Sequence, residues 1–315
     1  MVATFCAPQK QNEGLANTHV HLHFPDAPCY YGGMTETCTA DCSVPFVQTQ
    51  AVVTHQERVS SRYLLLRLRC ESIARTALPG QFVMIACAQD IGGISEPLLP
   101  RPLAILDARG DEIELLYFVS GYGTSILRQS GSQTGTPLRI IGPLGRGFEP
   151  IPGVDVHIAL GGGSGVAPLV FFYRRFAKSQ KNWHLVLAAR SSDQLAREDV
   201  VACPGRLHKA TDDGSAGVRG TAIDAMNSLL SGELKGAKAG IYAAGPEPMM
   251  MAAAKQSRAL NLPCMVSLEQ RMACGVGVCR ACVVDGVSPH KKTGLLRRTV
   301  CQDGPVFDIN ELAGW

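Results

Sequence analysis

No run in this 315-residue chain is long and apolar enough to cross a bilayer. The opening Met-Val-Ala-Thr-Phe-Cys lacks both the basic and the apolar region of a secretion signal, so a soluble, cytoplasmic protein is expected. There is little excess charge. Thirty basic residues face 27 acidic ones, a net +3, which is too balanced to imply a nucleic-acid partner. No internal repeat is visible, and neither a Ser/His/Asp triad nor a pair of catalytic carboxylates emerges. The twelve cysteines do not form a disulfide framework. Four fall in the first 42 residues, and Cys70, Cys87, Cys203 and Cys264 are scattered.

The remaining four organise the chain. Cys274-Gly-Val-Gly-Val-Cys279-Arg-Ala-Cys282 is followed, eighteen residues on, by Cys301. C-x4-C-x2-C with a distant fourth cysteine is the plant-type [2Fe–2S] spacing, in which a tight loop gives three thiolates and a later segment closes the cage. Gly275 and Gly277 suit such a loop because glycine lets backbone N–H groups approach the sulfurs. A zinc site is the alternative, but zinc ribbons present two C-x2-C knuckles and this chain has one. Four reduced core cysteines without metal are the other alternative.

At about 150 residues per domain the length allows two domains, or three if one is small. Residues 1–47 form a polar extension. His19, His21 and His23 would share one face of a strand, with Cys29, Cys38 and Cys42 after them. A second metal site is conceivable there, while a flexible extension with reduced cysteines is the plainer expectation. Residues 48–150 carry short β-rich runs, Tyr63–Arg69, Gln81–Ala86 and Ile113–Val119, separated by turns such as Pro79-Gly80, and predict an antiparallel barrel. From 151 to 265 the rhythm becomes strand–helix alternation. Strands are expected at Val154–Leu160, His184–Ala189 and Ala239–Ala244, with helices at Leu169–Lys178 and Pro248–Leu260, giving an α/β unit with a parallel sheet. Residues 266–315 hold the cysteine quartet and end in a short tail from Ile309.

Two further stretches carry ligand chemistry. Arg101-Pro102-Leu103-Ala104 places a planar cationic fork beside a proline-stiffened strand. Leu116-Tyr117-Phe118 follows, and then Gly123-Thr124 opens a helix over Ser125–Gln129 whose first N–H groups can meet a pyrophosphate. Gly161-Gly162-Gly163-Ser164-Gly165-Val-Ala-Pro168 lies between a strand and a helix, where a dinucleotide phosphate would sit. It departs from G-x-G-x-x-G at Val166, and Pro168 stands where a helix should begin. Asp212, in Thr211–Gly217, and Gly245-Pro246 fall at expected strand ends, the edge where open α/β sheets collect ligands.

In this order the motifs resemble the electron-transfer subunits of NAD-linked dihydroorotate dehydrogenases, within the ferredoxin–NADP reductase superfamily. The likeness runs from about Phe46 to Trp315. It rests on Pro79-Gly-Gln-Phe82, Arg101–Ala104, Gly142–Phe148, Gly161–Pro168 and Thr211–Gly217. Most specific are Ser267-Leu-Glu-Gln-Arg-Met-Ala-Cys274 running into the cysteine loop, and Cys301-Gln-Asp-Gly-Pro-Val-Phe307. It implies an FAD-binding barrel, an NAD-binding α/β domain and a C-terminal [2Fe–2S] segment. Arg101–Ala104, Leu116–Phe118 and Gly123-Thr124 would contact FAD. Gly162–Gly165, Asp212, Gly245 and Pro246 lie where NAD(H) would bind, and Cys274, Cys279, Cys282 and Cys301 would ligate the cluster.

The implied activity is electron relay between a nicotinamide nucleotide and a catalytic, FMN-containing partner subunit that oxidises dihydroorotate in pyrimidine biosynthesis. The small subunits of bifurcating ferredoxin:NADP and sulfide-type oxidoreductases share the architecture. Their first cluster ligand is often Asp, where this chain has Cys274. Two positions depart from the family: Ala104 replaces a usual Ser, and Ala244 a usual Cys. Both lie near the hydride-transfer point in the superfamily, so slowed nicotinamide chemistry is one expectation and neutral drift the other. The choice between NADH and NADPH is open. Arg190, Ser191 and Ser192 end the second α/β strand, where an arginine can meet a 2′-phosphate. The basic stretch His290–Arg298 could offset cluster charge or dock an acidic partner, though a solvated loop is the commoner reason for one.

Overall fold

The computed structural model describes residues 46–315, apart from Ala88, 92–93, 178–181, Cys203 and 291–292. The histidines and cysteines weighed as a second metal site in the extension lie outside the described residues.

Six strands close an antiparallel barrel in the order β1-β2-β7-β6-β3-β8. In chain order these are β1 (Val47–Arg58), β2 (Tyr63–Arg69), β3 (Phe82–Ile85), β6 (Arg101–Arg109), β7 (Glu112–Phe118) and β8 (Pro137–Leu144). A short helix α1 (Glu71–Ala74) and a small hairpin, β4 (Gln89–Ile91) with β5 (Ile94–Glu96), lie between them. The unbroken apolar run of β2 follows from burial on both faces. Leu64, Leu66 and Leu68 fill the barrel interior, while Tyr63 and Leu65 turn outward into the core beneath the α/β domain. Helix α2 (Tyr122–Gly131) starts three residues earlier than Ser125, because the Thr124 hydroxyl accepts the Ser120 and Gly121 N–H groups and secures the preceding turn.

The second domain is a seven-stranded sheet, β12-β11-β10-β9-β13-β14-β17. Its strands are β9 (Val156–Gly162), β10 (Trp183–Ala189), β11 (Arg206–Thr211), β12 (Val218–Arg219), β13 (Ala239–Ala244), β14 (Cys264–Ser267) and β17 (Val306–Asp308). All pair in parallel except β17, which runs antiparallel to β14. The chain moves outward from β9 to β10, β11 and β12, then returns to the other side of β9 as β13. The order therefore reverses between β9 and β13, the crevice where such sheets bind ligands. Helix α3 (Val166–Phe176) opens at Val166 and not Leu169. Pro168 sits in its first turn, where no N–H is required. The other helices are α4 (Glu198–Val201), α5 (Ala222–Ser231) and α6 (Glu247–Ala259).

Helix α3 joins the domains. Its first eight residues are buried, and it packs on both β9 and barrel strand β6. Its Arg174 reaches barrel residue Asp107 at 2.8 Å, and this aspartate is itself buried. The cysteine segment is stitched to both domains. Strand β17 completes the α/β sheet, and a hairpin of β15 (Val283–Asp285) with β16 (Arg297–Thr299) projects from it. Arg146 of the barrel hydrogen-bonds Gly304 through its backbone and reaches Glu311 at 3.1 Å.

Candidate functional site

The four cysteines meet although 27 positions separate the first from the last. The Gly277 N–H points at the Cys301 sulfur at 3.1 Å, and the Val276 and Cys279 N–H groups at the Cys274 sulfur at 3.4 Å each. The Cys301 N–H reaches the Cys282 sulfur at 3.4 Å. Gly275 and Gly277 have φ of +74° and +80°, as the loop requires. A Cβ on Gly275 would stand 2.4 Å from Met84 of β3, so the ligand loop lies flat on the barrel wall.

The sulfurs associate as two pairs. Cys279 has Cys274 as its neighbour, and Cys282 has Cys301. Among the described residues no three metal-ligating side chains share one centre. A single tetrahedral zinc needs four donors about one point, whereas a two-iron cluster takes two thiolates on each iron. The donor set fits [2Fe–2S]. The Cys301 hydrogen bond pushes the Cys282 thiol down, and in return Cys301 is pushed up as the proton-holding partner. Backbone donors, that of Ala281 foremost, hold Cys279 low. Cys282 and Cys301 are buried, while Cys279 is exposed beside Val278, which is 69% exposed.

The residues expected at a flavin also come together. A Cβ on Gly123 would fall 2.6 Å from the Arg101 guanidinium, so this fork lies against the first turn of α2. The Leu99 carbonyl accepts from Arg101 at 2.6 Å and fixes its direction. Thr124 is turned to capping. Tyr117 points into the barrel core, where its hydroxyl donates to Gln56 at 2.7 Å, so any flavin contact it makes is through the backbone. Ala104 stands opposite Phe82 on the neighbouring strand, and Pro102 and Leu103 opposite Met84 and Val83. Leu116 and Phe118 turn outward from the barrel. This cradle of a cationic fork, a glycine-floored helix start and an apolar strand face suits a dinucleotide flavin.

The glycine turn occupies the switch point. Gly161 lies level with Ala244 of β13 and Leu187 of β10. Side chains are excluded there by contact: a Cβ on Gly165 would meet the Ala244 carbonyl at 2.4 Å, and one on Gly162 the Met249 sulfur at 2.7 Å. Gly245 approaches Gly162 in the same way, so Gly162, Gly163, Ser164, Gly165, Gly245 and Pro246 form one surface. Asp212 is not part of it. It follows β11, two strands from β9, where its N–H donates to the Ala189 carbonyl at 3.2 Å.

Sequence reasoning missed the turn between β1 and β2, which reaches from the barrel to this surface, because it carries no motif. It also passed over Glu269, just beyond β14. This carboxyl touches solvent but is crowded on its other sides, and desolvation raises its pKa.

Comparison with known proteins agrees with this geometry. Residues 269–313 match a family model described as the iron-sulfur cluster binding domain of dihydroorotate dehydrogenase B, and 159–255 match an oxidoreductase NAD-binding domain. A protein of Bacillus caldolyticus described as dihydroorotate dehydrogenase B (NAD(+)), electron transfer subunit, is 35% identical over 82% of this chain and 96% of its own length. One of the same description from Desulforamulus reducens is 37% identical over 75% and 86%. Among solved structures, one of an NADH-dependent reduced ferredoxin-NADP oxidoreductase aligns at 27% identity and a TM-score of 0.69 over 83% of this chain and 88% of that one. The ferredoxin reductase of carbazole 1,9a-dioxygenase shares the fold at 22% identity and a TM-score of 0.59, over 71% and 68%.

Proposed function

This chain belongs to the family of dihydroorotate dehydrogenase B electron-transfer subunits, and from that membership we propose that it relays electrons between NAD(H) and a dihydroorotate-oxidising partner. The observation that carries the reading is the seat of the cysteine loop. One side rests on barrel strand β3 through Gly275 and Met84, and the other presents Cys279 to the surface. A cluster held there would lie between the barrel and another molecule. FAD, which handles electron pairs and single electrons, and a [2Fe–2S] cluster, which carries one at a time, supply the redox chemistry.

The chain's own residues hold and insulate. Arg101 and the start of α2 would bind the flavin pyrophosphate, and the Gly162–Gly165 turn with Gly245 and Pro246 the nucleotide phosphates. Cys274 with Cys279, and Cys282 with Cys301, would each hold one iron. The backbone N–H groups of Val276, Gly277, Cys279 and Cys301 offset thiolate charge. Among the described residues none is suited to oxidising a pyrimidine, so the partner carries that step and its FMN. Its landing site on this chain is the surface beside Cys279. There a 510 Å³ groove is lined by Arg280, Val283 and Gly294–Arg297, with Leu295 and Leu296 about half exposed. An apolar patch rimmed by arginines fits an acidic-edged partner.

The test is reconstitution. Purified with its partner, the protein should reduce NAD+ with dihydroorotate and show flavin absorbance and a paramagnetic iron signal on reduction. Either chain alone should fail at the coupled reaction. A partner that oxidises no dihydroorotate but exchanges electrons with ferredoxin would replace this reading with the bifurcating one. A colourless chain loaded with zinc would remove both.

A further inference from the structure

The turn joining β1 to β2 belongs to the barrel, yet it also makes polar contacts with the α/β domain. The Arg197 N–H donates to the Val59 carbonyl at 3.0 Å, and the Ser61 N–H to the Asp193 carbonyl at 2.9 Å. The Arg197 guanidinium meets Glu57 at 2.8 Å. Residues 193–197 follow β10, the strand whose end borders the ribose in sheets of this type. On the other flank, the Tyr63 hydroxyl stands 2.7 Å from where a Cβ on Gly163 would lie, at a glycine whose φ is +62°. The turn thus spans from the ribose-side loop to the phosphate-side glycine turn.

Arg62 occupies the middle of that span. Its guanidinium carbon lies 4.4 Å from the centroid of the Phe118 ring. Stacking covers the flat face of the group and leaves its N–H edge free for an anion. The residue is exposed, and among the described residues three carboxylates of this region are engaged elsewhere, Glu57 and Asp199 by Arg197 and Asp193 by serines, which leaves Glu269 as the acidic group beside the same tyrosine. Arg62 and Glu269 both act on Tyr63, one lowering and the other raising its pKa, after burial, the larger influence, has raised it.

We propose that Arg62, presented by the barrel, binds the pyrophosphate of the nicotinamide dinucleotide seated on the Gly162–Gly165 turn, so that both domains complete the nucleotide site. The proposal rests on NAD(H) being the nucleotide, and it adds a residue that no glycine motif contains.

The test uses the holoprotein. Arg62→Ala should weaken NADH and ADP-ribose binding about tenfold to a hundredfold, the loss expected for a charge-assisted hydrogen bond. Arg62→Lys should recover part of it. Flavin reduction by 1-benzyl-1,4-dihydronicotinamide, a hydride donor without phosphate, should proceed at the wild-type rate. FAD content and the iron signal should stay at wild-type levels. Equal NADH affinity in both proteins overturns the proposal, as does an equal loss with the phosphate-free donor. Loss of FAD from Arg62→Ala overturns it too, by assigning the arginine to the flavin. A wild type that binds neither NADH nor ADP-ribose overturns the nucleotide reading itself, and this proposal with it.

Discussion

Two sets of cysteines in one chain have opposite surroundings. Cys70, Cys87 and Cys264 sit in apolar cores, and burial pushes their thiols up, to about 11 for Cys87 and about 12 for Cys264. The C-terminal quartet gathers backbone N–H donors, and Cys279 and Cys282 are held low. The side chain is the same in both. What makes a ligand is a loop whose glycines turn several amides toward sulfur, and what makes a core residue is burial that outweighs the few donors it meets, as the Ile73 amide at Cys70 shows.

Replacing a member of each set should separate them most sharply. Cys282→Ser should abolish the reduced-iron paramagnetic signal and strip acid-labile sulfide. Cys264→Ser should keep both and lose about 1–3 kcal/mol of stability from a poorly satisfied buried hydroxyl, read by chemical denaturation. A cluster that survives Cys282→Ser undamaged would dissolve the distinction. Next in size is Gly277→Ala. Its Cβ would meet the Gln302 side-chain oxygen at 2.3 Å, at a residue with φ of +80°. The strain should cost about 1–3 kcal/mol and slow cluster reconstitution, followed by visible absorbance.

Alkylation gives a finer contrast. In iron-free folded protein, iodoacetamide at neutral pH should label exposed Cys279 first and reach Cys87 and Cys264 only on unfolding, as peptide mass spectrometry would show. A last contrast appears in alkali. Cys87 and Cys264 keep their protons longer when folded than when unfolded, so above about pH 9 the unfolded chain binds fewer protons and stability falls as pH rises. The slope should approach about 1.4 kcal/mol per pH unit for each group until its folded pKa is reached. Cys264→Ala should flatten it in urea titrations.

The sequence made legible what local chemistry dictates. Cysteine spacing foretold that Cys301 would close on the loop of Cys274, Cys279 and Cys282, and turn punctuation and apolar runs foretold a barrel followed by a parallel sheet. Ala239–Ala244 was placed to the residue, because a fully buried strand is an unbroken apolar run. Less legible was whatever depends on a distant partner. Pro168 reads as a helix breaker until the helix is seen to start just before it. Tyr117 reads as a side-chain contact, yet its ring lies in the core and leaves only its backbone for a flavin. Arg62 lies in a polar turn that resembles any other and Tyr63 opens β2, and only the docking of two domains brings this corner to the glycine turn.

Strand β17 comes after the last cluster ligand and pairs with β14. The polypeptide therefore leaves the sheet to make the redox loop and comes back to finish it. A chain cut short before Val306 would lose more than a terminus. It would uncover the hydrogen-bonding rim of β14, whose Val266 is wholly buried, and a naked rim of that kind invites strands from neighbouring molecules. Incomplete synthesis should therefore yield aggregates and not merely a pale enzyme, which ties the solubility of the protein to the segment that gives it colour.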